Sequence, residues 1–175
     1  MFLDYFSQVK SAYTRPSRFL DQNLGRADLG RALRFAAITG ACVALELGIS
    51  EALTSSSLSI VALVTVLALI LLPIVFGAWV FIWSGFIRLC AFLLQENLPA
   101  SPLRLVVGYS SVGLLFLGLD GWIGKLISLI TVVFQVWGME RVLRCSRWTA
   151  ILFVFLPFSI FLLLLGLVSL MFKVF

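Results

Sequence analysis

The sequence predicts an all-α integral membrane protein: five transmembrane helices in one bundle after a short amphipathic segment, N-terminus cytoplasmic and C-terminus external. Three observations carry this expectation. Hydrophobic residues make up 62% of the chain and charged residues only 12%, about half the roughly 25% of a soluble domain and too little to clothe a water-facing surface. The apolar residues gather in runs that suit a bilayer core of about 30 Å, which takes about 20 helical residues to cross. The thirteen Lys and Arg gather between the runs. Lys10, Arg15, Arg18, Arg26, Arg31 and Arg34 precede the first run, Arg88 and Arg104 flank the middle loop, and Arg141, Arg144 and Arg147 precede the last. Only Lys125 and Lys173 stand apart. Five crossings from an inside N-terminus place the first eleven on the cytoplasmic side, as expected when short basic loops resist translocation.

Residues 1–30 read as a cytoplasmic or interfacial segment and 31–175 as the transmembrane domain. The first 28 residues hold no sustained apolar stretch and no small-residue cleavage site, so no secretory signal peptide is expected. Phe2, Phe6, Val9 and Tyr13 recur at i, i+4, i+7 and i+11. The segment therefore reads either as a short helix lying on the headgroups, aromatic side down, or as a frayed tail. Pro16, and then 21–28 with Gly25, interrupt it.

The first span is expected over about 32–49, with Asp28 as its N-cap. Ala36, Gly40, Ala44 and Gly48 stand four apart on one face, a seam that lets a second backbone approach closely. Glu46 lies within a turn of the external end, where its carboxylate can reach the interface. The second span, 58–94, is read as one long helix kinked near Pro73, because splitting it there would send Arg104, Arg141, Arg144 and Arg147 outside. Gly77 and Gly85 point to a close neighbour, and Trp79 and Trp83 read as lipid or interface anchors. Ser101-Pro102 is a good start for the third span, 103–119, which ends in the turn Leu119-Asp120-Gly121. The fourth, 122–143, carries Ser128, Thr131 and Gln135 on one face, which is expected to point into the bundle. The fifth, 148–172, contains Pro157.

A family resemblance spans this whole arrangement. Arg-Pro-Ser-Arg-Phe-Leu at Arg15 to Leu20 precedes a first span opening Leu-Gly-Arg-Ala-Leu. A long second helix, Val107-Gly108-Tyr109-Ser110 on a short third, a hairpin, a fourth ending Gly-Met-Glu-Arg and a Pro-bearing fifth follow. The chain resembles the Yip (Ypt-interacting protein) family, particularly its compact bacterial members. The resemblance implies five spans, a cytoplasmic N-terminus and, for a bacterial member, the inner (cytoplasmic) membrane. The Asp-Leu-x-Gly-Pro motif of eukaryotic members has no counterpart here, so their binding of Rab-type GTPases is not carried over.

The side-chain inventory argues against catalysis. The chain has no His, which removes Ser-His and Cys-His nucleophile pairs and most metal sites. Cys42, Cys90 and Cys145 lack CxxC spacing and read as free thiols. Gly118, Gly121, Gly124 and Lys125 match no phosphate-loop pattern. No catalytic residue, cofactor or metal is expected. The favoured function is a non-enzymatic membrane scaffold or accessory subunit that binds other integral membrane proteins, organises lipid, or both. Its helix-packing or partner seam is Ala36, Gly40, Ala44, Gly48, Gly77, Gly85, Gly108, Tyr109 and Ser110. Its basic rim for lipid headgroups or partners is Arg15, Arg18, Arg141, Arg144 and Arg147. No nucleic acid is expected as a partner. The alternative is a small-solute or ion transporter or channel component, with Glu46, Gln135 and Arg88 along a polar path.

The charge partition predicts the accessibility of introduced thiols. With Cys42, Cys90 and Cys145 replaced, single cysteines at Ser56 and Gly121 should react with an impermeant maleimide from outside, and those at Asn97 and Ser146 should not. External labelling at 97 or 146 would rule out the five-span topology.

Overall fold

The computed structural model describes residues 2–25, 28–54, 57–116, 124 and 127–174. Its elements are α1 (Phe2–Thr14), α2 (Pro16–Leu24), α3 (Leu29–Thr54), α4 (Leu58–Leu93), α5 (Ala100–Ser110) with a 3-10 turn (Ser111–Leu114), α6 (Ile130–Leu143) and α7 (Arg147–Val174). The described residues are all-helical, without a strand.

The helix starts follow local chemistry. Pro16 opens α2 at a position whose amide needs no partner. Asp28 caps α3, its carboxylate accepting the Arg31 amide at 3.0 Å. Helix α5 begins at Ala100 behind Pro99 and has no side-chain cap, so Ser101-Pro102 sits in the first turn, where Pro is tolerated. At its far end α4 closes with Gln95 in the left-handed region, φ 62°. The Glu96 amide then reaches back to the Ala91 carbonyl at 2.9 Å, which satisfies an orphan acceptor of the last turn.

Helices α3 and α4 are long and apolar enough to cross a membrane, rising about 39 and 54 Å at 1.5 Å per residue. They form an antiparallel hairpin. A Cβ on Gly40 would lie 2.7 Å from the Leu72 carbonyl oxygen and 3.0 Å from the Pro73 nitrogen, and one on Gly48 would collide with the Thr65 side chain. Ala36 and Ala44 on the same face are fully buried. Here the bare backbone of α3 lies against the backbone of α4, and Pro73 is accommodated inside a continuous helix.

Two cores meet on α5. One face carries Leu103, Val106 and Val107 into a cluster with Val80, Ile87 and Met139. The other carries Leu105, Tyr109 and Val112 into a cluster with Tyr5, Phe19 and Phe35. Close approaches align the neighbours: a Cβ on Gly108 would lie 3.0 Å from the Ala32 side chain, one on Gly138 would lie 2.8 Å from the Val106 side chain, and one on Gly113 would collide with the backbone of Thr131. Helix α5 therefore runs antiparallel to α6, and its regular turns tighten to 3-10 where Gly113 meets Thr131. The α-helix ends at Ser110 and the 3-10 turn at Leu114, while residues 117–119 of the expected third span lie outside the described residues. The expected turn at 119–121 and the first residues of the fourth span lie outside the described residues.

The N-terminal segment is helical over Phe2–Thr14, the first of its two expected forms, and part of it packs against the bundle. Its buried stripe is turned relative to the aromatic one: Tyr5 and Ala12 are buried, whereas Phe6 is 56% exposed. Tyr5 reaches Thr39 of α3, and the Tyr13 hydroxyl donates to the Val112 carbonyl at 2.9 Å. These long-range contacts, which local periodicity cannot encode, select the face. Helix α2 folds back beside α1 and buries Phe19, Leu20 and Asn23.

Gly40→Leu should prop the hairpin apart, costing about 1–3 kcal/mol as an overpacking substitution. The melting temperature in detergent should fall clearly, whereas Gly85→Leu, at a site with open space around it, should leave it unchanged. Equal melting of the two variants would deny the close approach.

Candidate functional site

Three helices bound a polar cleft. Tyr5 anchors it: the Thr39 hydroxyl donates to the Phe35 carbonyl at 3.0 Å, so in the 3.0 Å Tyr5–Thr39 contact the phenol is the donor. Around this pair the rings of Tyr5, Phe19, Phe35 and Tyr109 pack at centroid distances of 5.0 to 6.0 Å, in the tilted and edge-on arrangements that aromatic quadrupoles favour. Burial raises the Tyr5 phenol well above its ordinary value. Tyr13 is pushed up to about 12, first by burial and then by the Glu46 carboxylate. At neutral pH both remain protonated donors, Tyr5 toward Thr39 of α3 and Tyr13 toward the Val112 carbonyl of the 3-10 turn.

The cleft measures about 660 Å³ and is lined by Asp4, Tyr5, Ser7 and Gln8 of α1, Gln22 and Asn23 of α2, and Arg31, Arg34, Phe35 and Ile38 of α3. A second cleft of about 490 Å³ shares Ser7, Gln8, Gln22 and Asn23 and adds Lys10, Arg15 and Arg18. Asn23 is only 7% exposed, its amide donating to the Phe19 carbonyl at 2.8 Å. The Gln8 Oε1 is buried without a hydrogen-bond partner. Arg31 lies 3.7 Å from Asp28, and Arg34 donates through Nε to the Gly30 carbonyl at 3.1 Å. The combined lining holds five cations against the single carboxylate of Asp4.

The expected seam divides in two. Ala36, Gly40, Ala44 and Gly48 are buried on α4, and Gly108, Tyr109 and Ser110 are buried in the bundle. Gly77 and Gly85 do not meet the close neighbour expected of them, since a Cβ at either would touch nothing within 4 Å. The physical reason is helical phase. The buried face of α4 runs through Phe76, Val80, Trp83, Ile87 and Cys90, which leaves Gly77 at its edge and Gly85 opposite.

Thr131 and Gln135 are buried, and Ser128 is only half-buried. Gln135 has a definite partner: its Oε1 accepts the Trp83 indole N–H at 3.1 Å. Trp83, stacked on Trp79 at 4.8 Å, is therefore a buried polar partner and not the surface anchor its sequence context suggested. Arg88 donates to the Leu98 carbonyl at 3.1 Å, and Arg104 lies 4.9 Å above the Phe81 ring. The basic rim is laid out along one end of the bundle. Arg15 and Arg18 line the second cleft, Arg141 pairs with Asp21 at 2.8 Å, and Arg147 lies 3.4 Å from Glu140. Exposed Arg144 takes the left-handed conformation that ends α6, φ 50°.

The three cysteines are free. Cys145 has its thiol 3.8 Å from the Met139 carbonyl and is raised above the ordinary thiol range, chiefly by burial, with Glu140 and Glu96 adding to it. At neutral pH it is a weakly nucleophilic thiol.

Sequence reasoning missed the cleft residues Gln8, Asn23, Arg31 and Arg34. A signal existed in α2, where Phe19, Leu20 and Asn23 share one face. Reading it required placing α2 against the bundle.

Gln135→Leu should leave the buried Trp83 N–H unpaired, a cost of about 1–3 kcal/mol, and lower the melting temperature. Trp83→Phe/Gln135→Leu should regain part of the loss. A double variant no better than Gln135→Leu alone would show that the bond is not what Gln135 contributes.

No family model, curated protein or solved structure matches this chain, so its function has to be read from the geometry of the hairpin, the cleft and the basic rim.

Proposed function

We propose that the chain is a non-enzymatic integral membrane scaffold or accessory subunit, which binds other membrane proteins through bare helix faces and anionic lipid through its basic rim. One observation carries the reading. In the most apolar stretch of α4 no residue is buried, against 44% in the corresponding stretch of α3. Leu58, Leu63, Ile70 and Ile74 are all more than half exposed on it. Such a face requires lipid or a partner helix around it. The Arg, Lys and polar side chains of α1 and α2 instead line the two clefts.

The topology that accompanies this reading is five membrane segments, N-terminus in and C-terminus out, in a bacterial inner membrane. It is supported by the partition of the basic residues and by the resemblance to compact Yip-family proteins. The described parts of α5 and α6 are the shortest of these segments. Two of the three polar residues that the transport alternative would use are engaged within the bundle. Gln135 is engaged by Trp83 and Arg88 by the Leu98 carbonyl.

The test is reconstitution of two variants with solute flux and partner recovery scored together. Glu46→Gln should leave both unchanged. Charge reversal of Arg141, Arg144 and Arg147 should weaken recovery of partners or anionic lipid, since roughly 1 kcal/mol per basic residue is at stake near an anionic surface. Flux abolished by Glu46→Gln, with recovery untouched by the Arg changes, would replace the scaffold reading with transport.

A further inference from the structure

We infer that the cleft between α1, α2 and α3 is a specific site for a phospholipid whose anionic headgroup carries a free hydroxyl, a phosphatidylglycerol-type head, with its acyl chain laid along α3. The head chemistry follows from the lining. Arg31 and Arg34 stand one turn apart and present guanidinium N–H groups suited to a phosphate. The Gln8 Oε1 is buried without a donor where the two clefts share their lining. An acceptor in a basic cleft calls for a ligand hydroxyl beside the phosphate, because a phosphodiester alone has no proton to give it. Asp4 opposes the arginines and Asp28 shares Arg31, while Lys10, Arg15 and Arg18 next door keep the surroundings cationic.

The tail argument distinguishes lipid from a free phosphate ester. Arg31, Arg34, Ile38, Leu45 and Ile49 lie at i, i+3, i+7, i+14 and i+18 of α3 and share one face. Ile38 closes the cleft, while Leu45 and Ile49 beyond it are 49% and 62% exposed. A molecule with a phosphate at one end and a hydrocarbon chain at the other fits this change from basic to apolar. The inference rests on the scaffold reading only in placing the cleft at the cytoplasmic leaflet.

The full chain in a neutral maltoside is offered phosphatidylglycerol, phosphatidic acid or phosphatidylcholine of one acyl composition, or sn-glycerol 3-phosphate, and retention is read by native mass spectrometry. Phosphatidylglycerol should be held best. Arg31→Gln/Arg34→Gln should lower its retention by about tenfold or more, with circular dichroism unchanged, whereas the charge-matched Lys125→Gln/Lys173→Gln should retain it fully. Gln8→Leu should erase the preference over phosphatidic acid without weakening phosphatidic acid itself, and it decides the matter alone if the double arginine variant does not fold. Equal losses in the two double variants, or a preference that survives Gln8→Leu, would overturn the site. Displacement of the lipid by glycerol 3-phosphate at matched concentration would overturn its assignment to lipid. Partner recovery, scored separately, reports on the scaffold reading without bearing on this one.

Discussion

At Gly40 the backbone of α3 comes so near the Leu72–Pro73 backbone of α4 that a single Cβ would intrude within 3.0 Å, and this approach sets the spacing of the molecule. Small residues confine α4 to one side of α3 and free the other side for Phe35 and Thr39, on which α1 and α2 are built. Helix α5 comes close to Ala32 at Gly108 and places Val106 in the cluster with Val80 and Met139. In an apolar environment this economy matters, because lipid drives no hydrophobic association between helices and close van der Waals contact must supply it.

A second constraint is the handling of polar groups within the packed base. Trp83 and Gln135 satisfy one another across α4 and α6. Ser110 and Ser111 donate to carbonyls three residues back, at 2.8 and 2.7 Å, where the helix tightens to 3-10. Thr39 links α1 to α3 through Tyr5. Each bond removes a desolvation cost of about 1–3 kcal/mol that an unpaired group would carry. Polar residues thereby specify contacts where apolar ones only permit them.

These two devices give the molecule its polarity. At one end a close-packed, polar-edged base carries the arginines and the cleft. At the other the α3–α4 hairpin extends with apolar faces uncovered. On the proposed scaffold reading these two ends would meet different surroundings, water and headgroups at one and hydrocarbon or neighbouring helices at the other, with α3 contributing to both.

Much of the architecture was legible in the sequence by itself. Helical class, the long second helix through Pro73, the Asp28 cap and the small-residue face all follow from local periodicity and capping, which act within a few residues along the chain. What Gly77, Gly85, Trp83 and the N-terminal segment do was decided only by tertiary structure. Gly77 and Gly85 carry the same small-residue signal as Gly40, yet the phase of α4 turns them from its neighbours. Trp83 reads as an interface anchor until Gln135, 52 residues away, meets its indole. Tyr5 outranks Phe6 as the buried residue of α1 because Thr39 lies 34 positions further on and accepts its hydroxyl. Period and capping measure distance along one helix. A cleft made by three helices depends on distances between them, and those exist only once the chain has folded.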